Sequence, residues 1–349
     1  MLVIGLGAMG AVLRATSLLP GIVKKYPGCH ITWVTEKASV PLLLNNPLID
    51  KVLPLEFDSV LKLKSFHFHT CFSLDKDFRI GGIINDLSID EVFGFRVDPL
   101  SMSIVPATSH SEELWQIGLS DHKKFFENKK PETQLLFEAM ALGEWEQSPY
   151  VLGFSSQELL QIKVKSRQWR KTSQQMVIGI NTGCSPTISY KKLSVSGHRV
   201  LIQKIQARLP QVQIVLLGGP EDTTRNQAIA FGMDIIESPT TFGVRDGLTS
   251  VAACDLVVTG DSLGMHMAIA LEKWTVAWFG PTCAHEIDLY DRGEKVISKA
   301  TCGPCWKRSC EKDLMCYDQV NFDEIIESIE RGLSCISLSS KPPFWEIFS

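Results

Sequence analysis

The chain has no long apolar run. None of its hydrophobic stretches approaches the roughly 18 residues of a membrane span, so no transmembrane segment is expected. It also lacks an excess of basic charge: 35 Lys and Arg stand against 39 Asp and Glu, a net charge of −4. Such a balance leaves no electrostatic footprint for nucleic acid. No basic region or small-residue cleavage site precedes the first apolar segment, so no signal peptide is expected. The expected setting is therefore the cytoplasm, where the 10 cysteines would be mostly reduced. Short tandem repeats are absent. What remains is the composition of a soluble globular protein, 44% hydrophobic and 21% charged, in 349 residues. That length suffices for two domains of ordinary size.

Short apolar segments alternate with helix-like ones throughout. In the first half, Met1–Leu6 reads as a buried strand, Val12–Lys24 as a helix and Ile31–Val34 as a second strand. Strand-like pieces recur at Val52–Pro54 and His69–Leu74, and a further segment at Ile80–Ile89. This order implies a doubly wound parallel sheet. Residues Ser111–Ala141 turn helical and more polar. The basic, polar stretch Ser155–Gln175 reads as a helix ending in a linker, which places a domain boundary there. The alternation restarts with MVIGIN at Met176–Asn181 and VQIVLL at Val212–Leu217, and continues through Leu256–Val258 and Thr275–Phe279. We expect an N-terminal domain at 1–165, a second at 172–334 and a tail at 335–349. Two such halves put a ligand cleft at the carboxyl ends of their sheets.

Gly5–Gly10, GLGAMG, matches the dinucleotide-binding fingerprint G-x-G-x-x-G, and Glu36 follows the second strand where a ribose-binding acid would stand. A tight strand-to-helix turn needs glycine whatever it binds, so the fingerprint alone does not establish NAD. A second informative stretch is TGDSLGMHMAIALEKWTVAWFGPT, Thr259–Thr282. There a strand delivers Asp261 and Ser262 at its carboxyl end, and a helix begins with His266 in its first turn. Unpaired amides and the helix dipole favour anionic oxygens at such a place. The alternative is that Asp261 is an N-cap and His266 a surface histidine.

The motifs DSLGMHMAIAL and FGPT resemble the pattern D-[ST]-G-x-x-H-[LM]-x-A-A-L…F-G-x-T of glycosyltransferase family 9, the heptosyltransferases of lipopolysaccharide assembly. The resemblance extends over nearly the whole chain. It includes the N-terminal G-x-x-G turn, Lys24–Val34, NNPLIDKVL at Asn45–Leu53, FGFRVD at Phe93–Asp98, INTGCS at Ile180–Ser185 with Lys191 after it, and VLLGGPED at Val215–Asp222. It implies an α/β chain of two facing Rossmann-like domains, the GT-B type. The first loop would then imitate a dinucleotide turn and face the acceptor.

The resemblance further implies that the second domain binds a nucleotide-sugar, ADP-heptose in the known cases. Asp261, Ser262, Gly264 and His266 would hold the diphosphate, and Thr182, Gly183, Ser185 and Lys191 the opposite lip. Lys191 is the expected counter-charge for the leaving group; a solvated lysine beside Lys192 is the alternative. Asp222 would lie near the nucleoside. The best-known members carry an aspartate, taken as the general base, directly after the first-loop glycine; here that position is Ala11, following Gly10. Asp75, after the apolar TCFSL strand, is the candidate replacement, with Lys76 and Arg14 as candidates for an anionic acceptor group. The alternatives are a surface strand-end pair and an exposed helix charge. The acceptor would be a glycan or glycolipid, and the protein would touch the inner face of the cytoplasmic membrane without spanning it. Catalysis in this fold type requires no metal.

Cys302, Cys305, Cys310 and Cys316 cluster as C-x2-C-x4-C-x5-C. Four thiolates can close a structural zinc or iron site. A similar segment occurs in many members of the family, and one subgroup binds iron there. Reduced packing cysteines and a disulfide are the alternatives. Two rival functions also stay open: an NAD-dependent dehydrogenase using GLGAMG, and a nucleotide-sugar-binding protein without catalysis, suggested by Ala11.

Overall fold

The computed structural model describes residues 1–338. Two compact units emerge. The first comprises Met1–Gly153 with His285–Asp288; the second runs over Phe154–Ala284 and from Leu289 onward.

The first unit holds β1 (Leu2–Ile4), β2 (Thr32–Thr35), β3 (Lys51–Pro54), β4 (His67–Ser73), β5 (Ser88–Asp98) and β6 (Ser103–Pro106), in the spatial order β3-β2-β1-β4-β5-β6. The second holds β7 (Val177–Asn181), β8 (Gln213–Leu217), β9 (Ile236–Glu237), β10 (Leu256–Gly260), β11 (Trp274–Phe279) and β12 (Gly293–Ile297), in the order β12-β11-β10-β7-β8-β9. Read from the other edge, the second sheet repeats the strand order of the first, with β12 parallel where β6 is antiparallel. In each, the chain winds outward from its first strand, then returns to that strand's other side. This is the Rossmann order, with a switch point between β1 and β4 in one unit and between β7 and β10 in the other.

The apolar runs read as strands because both faces of each sheet are covered. In β1, Val3 joins one buried cluster with Val12, Leu19, Trp33 and Phe72. Leu2 and Ile4 join the cluster on the opposite side with Val34, Cys71 and Ile80. Alternate residues thus feed opposite cores. In the second unit every residue of β7, β8 and β10 is buried.

Four expectations change. The single helix expected at Val12–Lys24 is two helices, Met9–Ala15 and Leu19–Lys25, joined by a 3-10 turn at Thr16–Leu18. Pro20 has no N–H and its ring collides with the carbonyl one turn earlier, so the helix resets there. The segment expected at Ile80–Ile89 divides into a helix, Phe78–Asn85, and the start of β5; β5 then pairs antiparallel with β6. The domain boundary falls at Gly153–Phe154, ahead of the basic helix and not within it.

That helix, Ser156–Gln168, opens with a capping box between Ser155 and Glu158 and belongs to the second unit. It is anchored by charge: Arg245 donates to Glu158 at 2.6 Å and Lys165 to Asp246 at 2.7 Å. Just beyond it, Arg170 grips Asp255 through two 2.7 Å bonds. A polar segment looks like a linker in sequence because its partners lie about eighty residues on. Finally, residues 335–338 complete the helix Phe322–Leu338, packed on the second unit; the remainder of the expected tail, 339–349, lies outside the described residues. No helix among the described residues is long and apolar enough to cross a membrane.

Candidate functional site

At the switch point of the second unit, β7 ends on Asn181 and β10 on Gly260. Their parallel register, Val258 beside Ile180, brings Asn181 next to Thr259. The Asn181 amide Nδ2 donates to Ser262 Oγ (3.0 Å), Thr259 Oγ1 (3.2 Å) and the Gly183 carbonyl (2.9 Å). Asn181 was not singled out in the sequence, yet it joins the two loops. It also explains a glycine: a Cβ at Gly264 would sit 2.7 Å from Asn181 Cγ. Ser262 starts the helix Leu263–Ala270 in extended geometry, but its hydroxyl turns back to Asn181 and no side chain caps the helix. The amide end of this helix, with its positive dipole, stays directed at the sheet edge. His266, in the first turn, is buried, unlike the surface histidine of the alternative reading.

Lys191 ends the short 3-10 segment Pro186–Lys191. Its ammonium lies 3.4 Å from the Asp261 carboxylate, with the two side chains 14% and 15% exposed. Trp278 Nε1 fixes the Lys191 carbonyl at 3.1 Å. Lys192, unnoticed in the sequence except as a neighbour, lies 3.6 Å from Asp222, whose side chain is 2% exposed. Neither lysine is a freely solvated charge.

The structure brings the expected lip together but reassigns some of its side chains. The Thr182 hydroxyl is buried and donates to Asn226 Oδ1 at 2.5 Å, so it braces the loop. Ser185 is exposed and accepts from the Thr187 amide at 3.3 Å, capping its own turn. Asp222 accepts from the Gly219 amide at 3.0 Å, and a Cβ at Gly183 would overlap its Oδ2 at 1.8 Å. Asp222 therefore shapes the loop floor. Arg225, also missed, donates through Nε to the Thr182 carbonyl at 3.2 Å, and burial lowers its pKa. Beside it His198 packs edge-on to Trp278; burial, then the Arg225 charge, push its pKa down to about 3 and keep it neutral. Tyr190, Lys192, Arg225, Arg308, Cys310 and Tyr317 line a cleft of about 400 Å³ next to this lip.

The cysteine segment folds onto the same edge. The Cys305 and Trp306 amides donate to the Pro281 carbonyl at 3.0 and 2.9 Å, docking the segment on the glycine turn after β11. Tyr190, at the lip, donates to the Lys307 carbonyl and lies 4.0 Å from Cys305 Sγ. Cys316 is buried with Ile188 and Tyr190. Burial, then the neighbouring Cys305, Cys302 and Cys310, push its thiol up to about 11. None of the cysteines is disulfide-bonded. Among the described residues, the groups whose ligand atoms gather within 4.8 Å of one another include no three of these four cysteines, so the segment's thiols are neighbours without being closed on one point.

At the switch point of the first unit stands Asp75, just past β4. Its Oδ2 accepts from the amides of Leu6 (2.5 Å) and Gly7 (3.1 Å). The loop amides that would cradle a pyrophosphate are thus filled by a carboxylate of the chain itself, and Glu36 is held by Arg79 at 2.7 Å. The fingerprint's turn is thereby closed on the chain itself as a strand–turn–helix joint. A Cβ built at Gly7 would lie 3.0 Å from Asp75 Oδ1 and 3.3 Å from the Ala11 methyl, so Asp75 and Ala11 flank one spot. Burial raises the Asp75 pKa against the pull of the two amides, helped by the charges of Glu132 and Asp77. Gly10 lies in the first turn of the helix Met9–Ala15.

Two acceptor candidates have partners within the chain. Arg14 turns inward to Glu132 at 2.5 Å, its side chain 10% exposed; its helix position faces the Glu132–Ala139 helix, so it is not an exposed helix charge. Lys76 donates to the Leu114 carbonyl at 3.0 Å with its ammonium 4.8 Å over the Phe95 ring, and partial burial lowers its pKa.

This architecture matches known proteins over nearly its whole length. A glycosyltransferase family 9 structure from Veillonella parvula superposes with a TM-score of 0.75 at 16% identity, covering 95% of this chain and 96% of that one. E. coli ADP-heptose lps heptosyltransferase II superposes at 0.68 with 18% identity, covering 96% and 99%. In sequence, lipopolysaccharide heptosyltransferase 1 of Campylobacter coli is 20% identical over 360 aligned residues, 94% of this chain and 97% of the relative. The family model of glycosyltransferase family 9 (heptosyltransferase) matches residues 134–316, more than half of the chain. Two Rossmann-like sheets, a lysine–aspartate pair at the second switch point and these matches lead to one conclusion: the chain belongs to glycosyltransferase family 9 and is a glycosyltransferase of the GT-B fold.

Proposed function

We propose that the chain transfers a heptose from ADP-heptose to a hydroxyl of a lipopolysaccharide or other surface-glycan acceptor. The observation that carries this reading is the β7–β10 switch point, where an uncapped helix N-terminus, Lys191 and the nearby Lys192 converge on one edge. Such an arrangement suits a diphosphate. The named relatives, a lipopolysaccharide heptosyltransferase and an ADP-heptose enzyme, supply the sugar and nucleotide. Donor binding is assigned to the second unit, with Asp261 orienting Lys191 and His266 in the first helical turn; acceptor binding is assigned to the first. Asp75 Oδ1 takes the proton of the acceptor hydroxyl as its oxygen attacks the anomeric carbon. The bond from that carbon to the diphosphate breaks, and Lys191 meets the departing charge. The protein works at the inner face of the cytoplasmic membrane, where a lipid-anchored acceptor would lie.

A thermal-shift series with ADP-heptose, other nucleotide-sugars and NADH tests the donor. ADP-heptose at about 100 times its Kd should stabilise the fold by ~2.7 kcal/mol, and NADH should leave Tm unchanged. Asp261→Ala and His266→Ala should each bind the donor more weakly while melting as cooperatively as the parent. Equal binding by both variants overturns the donor assignment.

We also propose that Cys302, Cys305, Cys310 and Cys316 hold a structural zinc or iron ion. The segment is short, has little apolar core of its own and bridges the lip to the turn after β11, a place where a metal contributes folding energy directly. Protein purified without an affinity tag should contain about one such ion at this segment. Cys305→Ser should lower metal content and Tm together. Four freely titrating thiols in metal-free protein, with melting unaffected by the substitution, would remove the idea.

A further inference from the structure

At the other end of β4 from Asp75, the sequence His67-Phe68-His69 alternates. Phe68 is buried, and both histidines are exposed on the opposite side. A strand places residues two apart on one face, and the two imidazole centroids lie 5.3 Å apart. The neighbouring strand β5 runs parallel, with His67 beside Ser88 and Thr70 beside Glu91; the same register sets His69 beside Asp90. One ligand atom from each of His67, His69 and Asp90 lies within 4.8 Å of the other two.

The contacts around His67 prepare it for a metal. Its Nδ1 is 2.9 Å from Ser88 Oγ and its Nε2 is 3.0 Å from Asp90 Oδ2. The carboxylate only accepts, so here Nε2–H donates to Asp90; when a metal takes Nε2, the ring proton stands on Nδ1 and donates to Ser88 Oγ. Metal ligation by histidine commonly uses such an outer hydrogen bond to fix the ring and its tautomer. The three donors stand on two paired strands of an interior sheet, so little conformational freedom is lost on binding.

We propose that His67, His69 and Asp90 form a binding site for a first-row transition-metal dication such as zinc, cobalt or nickel. Two imidazoles and one carboxylate suit these ions and not magnesium or calcium. Three ligands on one side leave the remaining positions to water. The ion takes the place of the Nε2–H bond to Asp90 while the ring's one proton shifts to Nδ1, and it staples β4 to β5. The site is apart from the reaction: β4 spans residues 67–73, roughly 20 Å at ~3.3 Å per residue, and Asp75 stands beyond its far end.

Cobalt(II) distinguishes this site from the cysteine segment, because thiolate ligands give intense charge-transfer absorption and a histidine–carboxylate set does not. Untagged parent and the double variant His67→Ala/His69→Ala, both solvent-facing changes, would be compared by equilibrium dialysis against cobalt and by absorption spectroscopy. The variant should bind about one ion fewer per chain, with any thiolate band unchanged. Asp90→Asn should keep the fold and bind the same ion about ten-fold or more weakly. Magnesium should not compete. Equal cobalt stoichiometry and affinity in parent and variants overturns the site, and so does a loss of binding confined to the thiolate band.

Discussion

Asp75→Asn should lower turnover by about 10²–10⁴-fold, the usual contribution of a general base, while donor affinity stays at the parental value. Asparagine is nearly isosteric, and its carbonyl oxygen can still accept from the Leu6 and Gly7 amides that Asp75 engages now. The loop should therefore keep its shape, and the loss should fall on kcat. The pH profile separates this role from a purely structural one. Burial raises the Asp75 pKa above the ordinary 3.8. The basic form is lost as pH falls through that raised value, so the parent should show an acidic limb displaced upward in kcat/KM. In Asp75→Asn that limb should vanish. The sign for stability is opposite to that of a salt-bridged carboxylate: the folded state holds the proton more tightly, so this group's contribution is fully present below 3.8 and declines as pH rises through the raised pKa. Single-turnover kinetics with a glycan acceptor and saturating donor would check the first point. Near-parental turnover with an intact acidic limb would discard the assignment.

Lys191→Met should cut kcat by about 10²–10³-fold, the scale of removing one preorganised group that meets developing charge. Methionine preserves most of the stem, so the packing of the 3-10 segment is retained, and the Trp278 bond is to the backbone carbonyl and survives. The substitution leaves Asp261 near the diphosphate without its 3.4 Å partner, so donor binding should weaken too. Lys191→Arg should restore much of the binding and less of the rate, because a planar fork cannot reproduce a point charge. Steady-state kinetics with ADP titration of each variant tests this. Unchanged kcat in Lys191→Met would move the counter-charge role to Lys192, which already sits on the same lip.

The family's pattern places a glycine directly after D-[ST], whereas this chain has Leu263 there and Gly264 next. The structure gives the reason that glycine is needed at 264: Asn181 fills the space a Cβ would take. Sequence alone could not show this, because Asn181 ends β7 while Gly264 lies in the helix after β10, about eighty residues on. The same holds for Asp75. Its place after an apolar strand was legible, but its bonds to the first-loop amides arise from β4 lying beside β1. Arg14 illustrates the converse. Its helical position was read correctly in outline, yet whether it faces solvent or Glu132 depends on a helix more than a hundred residues later.

The sequence by itself determined the alternation of buried strands and covering helices, the two Rossmann-like halves and the family, because these rest on local periodicity and on motifs a few residues long. The tertiary structure decided what those periodicities cannot encode. It decided that the GLGAMG amides are filled by Asp75, that Thr182 and Ser185 brace their own loop, and that the polar helix at Ser156 is core scaffolding of the second unit. It also decided that two histidines meet an aspartate of the next strand. Each of these is a pairing between residues far apart in the chain. The partner of a polar group is set by which strands become neighbours, and that choice is made by burial of the sheet's two faces rather than by the polar residues themselves.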